Sequence, residues 1–207
     1  NRLCCPHPMT DRFRFSLINF IKRIFIANLL VVYKLFLNKI VEEVMIPSSA
    51  HRIQGINFCL HPSPKEMMKM DSLCFSAAWS EQDYREMQEQ STFSNWLLQV
   101  PTAAQVGMLS FQSVPPELQI LRLAVLPDWR KQGLAKFMLE QLEIVAKSAN
   151  LESLWLEVNS ANKAATELYY KQGYQETGIR KNYFKNPLGD ALLLKKILKY
   201  DDKQAAQ

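Results

Sequence analysis

One stretch constrains this chain more than any other. The apolar run Leu121-Arg122-Leu123-Ala124-Val125 is followed by Pro127-Asp128 and then by Arg130-Lys131-Gln132-Gly133-Leu134-Ala135-Lys136. Phe137, Met138, Leu139, Leu142 and Val145 come next, at helical spacing. The pattern predicts a strand ending at Pro127-Asp128, a turn, and an amphipathic helix over about 133–149. The first N–H groups of a helix lack intrahelical partners, and the helix dipole adds partial positive charge there. Gly133 and the small Ala135 let an oxyanion approach the backbone, and Arg130, Lys131 and Lys136 add cationic side chains. Such a turn suits a pyrophosphate. A basic strand-to-helix turn with a glycine used only for packing would read the same way.

The chain has 207 residues, 48 % hydrophobic and 22 % charged, enough to bury the core of one domain with extensions. The net charge of +5 is unevenly spread. Residues 1–50 hold seven Lys/Arg against three Asp/Glu, whereas residues 51–207 hold 18 against 17. The body of the chain is therefore nearly neutral, and no nucleic-acid partner is expected. Cys4, Cys5, Cys59 and Cys74 show no C-x-x-C spacing, so neither a disulfide framework nor a zinc site is expected. A reducing, cytoplasmic location fits this usage. His7, His51 and His61 are the three histidines, so chemistry beyond residue 61 must use Glu, Asp, Tyr or Lys.

Residues 1–50 form a basic, apolar segment distinct from the rest. The chain opens on Asn1, the mark of a fragment or of an upstream start. The longest clean apolar run, from Ile24 to Tyr33, contains Asn28 and is too short for a transmembrane span. Three readings stay open: an extension of uncertain order, an amphipathic interfacial helix, or a targeting segment. Pro47-Ser48-Ser49 marks the boundary to a domain over 51–200, and 201–207 form a polar tail.

Within that domain, Arg52–Leu60 reads as a strand, and Pro64 opens a helix through Met67, Met68, Met70 and Leu73. Ser80 and Asp83 form a capping-box pattern before a second helix. Strands are expected over 95–100, 105–113, 118–125 and 153–158, with closing strands near 174–180 and 191–198. A helix over about 161–172 stops at Gly173. This mixed order argues an α+β fold around one sheet.

Alternation in Leu154-Trp155-Leu156-Glu157-Val158 puts the three aliphatic residues on one face and Trp155 with Glu157 on the other. A carboxylate in so apolar a strand must be solvated, paired or used. Asn162 reads equally as a helix cap and Tyr169 as a core aromatic. Tyr170 is a rival phenol, but it points about 100° away on the same helix.

The R-x-x-G-x-A spacing of Arg130, Gly133 and Ala135 differs from the dinucleotide G-x-G-x-x-G and from the P-loop. After a strand, it resembles the acetyl-CoA loop of the GCN5-related N-acetyltransferases, the GNAT superfamily. The run LWLEVNSANKAATELYYKQGYQETGIRKNYFKNPLGDALLLKK resembles the ribosomal-protein-alanine N-acetyltransferase branch. The resemblance covers roughly residues 64–199, is densest over 121–195, and leaves out residues 1–50. It implies an α+β acyl-CoA N-acyltransferase fold, with a mixed, mostly antiparallel sheet flanked by helices.

By position, the resemblance makes Glu157 the general base and Tyr169 the general acid. It places Asn162 against acetyl-CoA and Leu123, Ala124 and Val125 along the pantetheine arm. Lys131, Gln132, Gly133, Leu134, Ala135 and Lys136 fall on the pyrophosphate loop, which Arg130 opens. Ala135 stands where glycine is commoner, and Leu126 where an acidic residue is frequent. Tyr183-Phe184, between the last strands, is expected to line a peptide groove. The implied reaction is direct acetyl transfer from acetyl-CoA to a protein N-terminus, by resemblance that of an alanine-initiated small-subunit ribosomal protein, without a metal. In an apolar setting, Glu157 would gain proton affinity useful to a base. Three rivals remain at this stage: a broader N-terminal or lysine acetyltransferase, an idle acetyl-CoA-binding module, and a membrane-associated protein acting through residues 13–46.

Overall fold

The computed structural model describes residues 55–199 except 102 and 186; of Ala103 and Ala104 it describes only the backbone. The readings made for residues 1–50, for the first residues of the 52–60 strand and for the C-terminal tail lie outside the described residues. The elements run β1 (Asn57–Cys59), α1 (Pro64–Cys74), α2 (Glu81–Glu89), β2 (Phe93–Val100), β3 (Ala103–Val114) and β4 (Glu117–Val125). They continue with α3 (Leu134–Ser148), β5 (Ser153–Asn159), α4 (Lys163–Lys171), β6 (Gln175–Lys185) and β7 (Leu188–Ile197). The strands form one sheet in the order β1-β2-β3-β4-β5-β7-β6. Every neighbouring pair is antiparallel except β4 and β5, which run parallel.

The helix starts follow from their caps. Ser63 and Glu66 exchange bonds at the start of α1: the Glu66 N–H donates to Ser63 Oγ, and the Ser63 N–H donates to Glu66 Oε2 at 2.8 Å. Ser80 and Asp83 do the same at α2. Each pair satisfies two orphan donors, and the serine bonds hold both carboxyls below their ordinary pKa.

Strand alternation then builds two cores. Trp96, Leu98, Leu109, Phe111, Leu154 and Leu156 face α3 and α4, packing with Phe137, Met138, Leu142, Val145 and Tyr169. Leu97 and Met108, their neighbours in sequence, face the other way and meet Met67, Met70 and Tyr84 of α1 and α2. The sheet is thus the middle of three layers. Each fully buried side chain of this size contributes about 1.5–3 kcal/mol.

A buried ion pair ties the α1–α2 layer to β4. The Asp71 carboxylate is fully buried. It accepts from the Arg122 guanidinium at 3.1 Å, from the Trp79 backbone N–H at 3.0 Å and from the Tyr84 hydroxyl at 2.7 Å. Arg122 also donates to the Ala77 carbonyl and lies over the rings of Phe75 (4.5 Å) and Trp79 (4.2 Å). Burial and the bond to Asp71 push the Tyr84 pKa far above the ordinary phenol value, so it stays a donor.

β4 ends at Val125, as the expected strand over 118–125 has it, and Pro127–Trp129 form a single 3₁₀ turn. Proline lacks the N–H that a further pairing would need, and the last bond to β3 runs from the Leu126 N–H to the Val106 carbonyl at 2.9 Å. β6 runs on to Lys185 instead of stopping near Arg180, so Tyr183 and Phe184 lie within it. Pairing with β7 breaks after Arg180↔Ala191 and resumes at Phe184↔Gly189.

Removing one partner of a buried ion pair strands the other charge. Arg122→Ala should therefore lower stability by about 3 kcal/mol, read as a fall in the urea midpoint at unchanged slope. The loss for Asp71→Leu combined with Arg122→Met should be smaller than the sum of the two single losses.

Candidate active site

The site begins where two strands part. β4 and β5 pair in parallel from Glu117↔Ser153 to Ile120↔Leu156 and no further. Both strands continue, β4 to Val125 and β5 to Asn159, each held by its other neighbour. The parting coincides with a bulge: Ser110 pairs with Arg122 and Phe111 with Ile120, so Leu121 is an extra residue in β4. A bulge bends its strand and steepens the local twist.

The bend leaves part of β4 with an open edge. The Leu126 N–H points at β3. Backbone groups alternate sides along a strand, so Leu123 and Val125 direct theirs toward the gap that β5 has left. The Val125 carbonyl accepts from the Arg130 Nε at 3.0 Å. That bond folds the Arg130 side chain back over the strand end and fixes the following loop.

The loop is shaped by two left-handed residues. Lys131 has φ +60° and Gly133 φ +84°. The first is uncommon outside glycine, and the second suits glycine because no Cβ is present to clash. Gly133 caps α3, and its carbonyl accepts the Phe137 N–H at 2.9 Å. The N–H groups of Leu134, Ala135 and Lys136 precede that bond and have no acceptor within the helix. They converge at the positive end of the α3 dipole, an anion-binding arrangement.

β4 and β5 are parallel, so their carboxyl ends lie on the same side of the molecule. Glu157 is the first β5 residue beyond the last pairing with β4. Its side chain is 13 % exposed, and Oε1 sits 2.9 Å from Arg180 Nη1 on β6. The site is therefore not the apolar one considered from sequence: a cation is built against the carboxylate. Arg180 lies 5.5 Å from the centre of the Tyr183 ring, at the β6 irregularity. Asp190 pins that irregularity by accepting from Lys181 Nζ at 2.8 Å and from the Asn182 N–H at 2.9 Å. These bonds hold the Asp190 carboxyl below its ordinary pKa.

Asn159 closes the end of β5. Its Oδ1 accepts the Ala161 N–H, and its Nδ2 donates to the Pro187 carbonyl. It fills the space beside Gly189, where an added Cβ would lie 2.4 Å from Oδ1. Asn162 caps α4 by accepting the Ala165 N–H at 3.2 Å. Tyr169 is buried in the α3–α4 core with its ring edge-on to Tyr174 at 5.5 Å, and burial pushes its pKa far up. Tyr170 is 45 % exposed and its hydroxyl contacts Glu176. The two phenols thus point apart, as helical geometry requires.

The structure thus gathers the β4 edge, the loop over 130–136, Glu157 and the start of α4 at one end of the sheet. Glu157 and Tyr169 sit on opposite faces of β5. Sequence reasoning missed Arg180 and the Asp71–Arg122 pair. Their partners are distant in the chain, and only strand register brings them together. A separate polar cavity of about 420 Å³, lined in part by His61, Glu66 and Asn95, lies at the start of α1 and includes none of these residues.

Comparison with known proteins follows the same outline. The acetyltransferase (GNAT) family model matches residues 65–174. The ribosomal protein bS18-alanine N-acetyltransferase of Escherichia coli K12 is 33 % identical over 118 residues, covering 56 % of this chain and 78 % of that protein. The crystal structure of the Escherichia coli ribosomal-protein-S18-alanine N-acetyltransferase superposes with a TM-score of 0.64 at 24 % identity, covering 73 % of this chain and 99 % of that one. A GNAT family acetyltransferase from Elizabethkingia anophelis with acetyl-CoA bound gives a TM-score of 0.56 at 20 % identity, covering 69 % and 98 %.

Gly189→Ala should force Asn159 out of its place and cost about 1–3 kcal/mol. Thermal melting would show this as a lowered Tm. Asn159→Ala, which removes the clashing side chain, should make the added cost of Gly189→Ala much smaller.

Proposed function

Because the chain belongs to the GNAT acetyltransferase family, we propose that it acetylates the α-amino group of a protein N-terminus. The acceptor we propose is an alanine-initiated small-subunit ribosomal protein. One observation carries the reading: Glu157 stands at the first position past the β4–β5 parting, beside an open backbone edge and an anion-binding helix start. The similarity to bacterial ribosomal-protein-alanine N-acetyltransferases supports the choice of acceptor. The two described cysteines, Cys59 and Cys74, are free thiols, which fits a reducing compartment such as the cytoplasm.

The donor set fits acetyl-CoA. The N–H groups of Leu134, Ala135 and Lys136, with Lys131, Gln132 and Gly133 shaping the turn, would hold its pyrophosphate. The edge at Leu123 and Val125, with Ala124 between them turned to β3, offers strand-like hydrogen bonds to an amide-bearing arm, and Asn162 lies at the start of α4. Arg130 acts through the backbone by fixing the loop on Val125. Bound there, acetyl-CoA would supply an acetyl group activated as a thioester.

The chain's own groups do the rest. An α-amino group has a pKa near 7.7–8.0, so a large share is protonated at neutral pH and cannot attack. Glu157 takes that proton, directly or through water, and frees the nitrogen lone pair. The Val125 N–H, aimed into the gap, is placed to stabilise negative charge growing on the carbonyl oxygen. Tyr169, kept protonated by burial, gives its proton to the departing sulfur. The new bond is nitrogen to acetyl carbon, and the bond broken is carbon to sulfur; the nitrogen sheds its second proton to water as the amide forms, Tyr169 regains a proton from water, and Glu157 releases its own to solvent. Tyr183 and Phe184 flank the approach of the peptide.

The test is CoA release from acetyl-CoA with short peptides beginning Ala, Ser or Met, against peptides offering an internal lysine. The Ala-initiated peptide should turn over fastest, and Glu157→Gln should lower its kcat by about 10²–10⁴-fold. Preference for internal lysine would keep the chemistry and overturn the acceptor. Full activity in Glu157→Gln would remove its role as base. Gly133→Val, which forces a branched residue into the left-handed region, should raise the KM for acetyl-CoA about tenfold and leave the peptide KM unchanged.

A further inference from the structure

We propose that Arg180 is a positioning residue that occupies the acceptor's own seat: its guanidinium stands in for the substrate ammonium at Glu157, and the incoming N-terminus must displace it. The inference rests on the reading of Glu157 as the group that receives the acceptor amine.

The geometry is that of one cation held ready against one carboxylate. Arg180 Nη1 lies 2.9 Å from Glu157 Oε1, a distance an ammonium nitrogen would also take. The carboxylate is 13 % exposed but the Arg180 side chain is 51 % exposed, so the arginine can leave toward solvent while Glu157 stays. Three other cations on the elements around Glu157 have partners of their own. Lys195 of β7 binds Glu117 of β4 at 2.6 Å, Arg122 of β4 binds Asp71 of α1, and Lys181 of β6 binds Asp190 of β7. Leu193 stands directly opposite Glu157 on β7.

The surroundings keep Arg180 near without locking it. The β6 irregularity after Arg180 is pinned by Asp190, which sets the strand carrying the arginine. Tyr183 lies 5.5 Å from the guanidinium carbon and gives a weak cation–π contact. The guanidinium has no proton to yield near neutral pH, so it is inert toward acetyl transfer. A largely buried carboxylate facing an apolar β7 residue would be costly to leave unpaired. The arginine supplies that pairing until a cationic acceptor takes it over, and a neutral molecule has no charge to exchange for it.

The proposal is tested by steady-state kinetics on Arg180→Ala and Arg180→Gln with the best peptide acceptor. Glutamine keeps most of the side-chain stem and loses the charge. With the competing cation gone, the peptide KM should fall about fivefold, the equivalent of roughly 1 kcal/mol. The KM for acetyl-CoA should not move. Millimolar methylguanidinium should inhibit Arg180→Ala competitively with peptide, restoring the wild-type KM, and should inhibit the wild type much less. A purely structural role for Arg180 would not produce that competition. An unchanged or raised peptide KM in both variants would overturn the proposal, the raised value meaning that Arg180 holds the acceptor and does not block it. Glu157→Gln, run alongside, separates the two ideas. If that variant is inactive while the Arg180 variants show no fall in KM, only the displacement fails. If that variant turns over peptide at the wild-type rate, the base reading fails and the displacement fails with it.

Discussion

The short life of one strand pairing governs the molecule. β4 and β5 share only four register pairs before they part at Ile120 and Leu156. Everything proposed for the site lies beyond that point. Had the pairing continued, β5 would satisfy the backbone groups of Leu123 and Val125, and no edge would remain to receive an extended ligand. The extra residue at Leu121 turns β4 away at the right place. The departing strands do not lose support, because β3 holds β4 and β7 holds β5 along their outer edges. An open edge inside a sheet is costly unless something fills it, and a site that binds an amide-bearing substrate is one way to use it.

The Asp71–Arg122 pair stabilises the other side of this arrangement. Arg122 directly follows the bulged Leu121, and its guanidinium reaches α1, the segment after it and, through Asp71, Tyr84 of α2. A buried pair is seldom the most stabilising choice a core can make. Its directionality is what an apolar contact would lack. Two carboxylate oxygens accept three donors from three parts of the chain, and the planar guanidinium is stacked between Phe75 and Trp79. That geometry holds the α1–α2 layer in one register against β4, which fixes the wall of the cleft next to the parting strands.

The local features of this structure were legible in the sequence, and the non-local ones were not. Ser80 with Asp83, Gly133 before an amphipathic run, Gly173 after one, and the alternation around Glu157 each act within a few residues, so spacing reveals them. Asn162 was readable as a cap for the same reason, and it is one. The length of β6 was not readable, because its exposed residues carry no apolar alternation and its pairing depends on a break after Arg180. The partnership of Arg180 with Glu157 spans 23 residues and that of Arg122 with Asp71 spans 51, and neither has a period or a motif. The parting of β4 and β5 was invisible for a related reason: both strands keep their apolar pattern through it, since each is still paired on its other side. On residues alone, the loop over 130–136 admitted a packing role. Only its place beside the open edge joins it to Glu157.

The proposed acid–base pair needs no histidine, and the sequence has none beyond residue 61. A carboxylate and a phenol have ordinary proton affinities far apart, one well below neutrality and one well above. Here the two are set in opposite environments. Glu157 faces the Arg180 guanidinium at 2.9 Å. Tyr169 is sunk in the core among apolar side chains and is held neutral, able to give a proton. They lie on opposite sides of β5: Glu157 is on the strand itself, and Tyr169 is on α4, packed against its apolar face. The division of labour therefore comes from the sheet: a strand that buries one face and pairs the other supplies opposite environments to residues only a few positions apart in the fold.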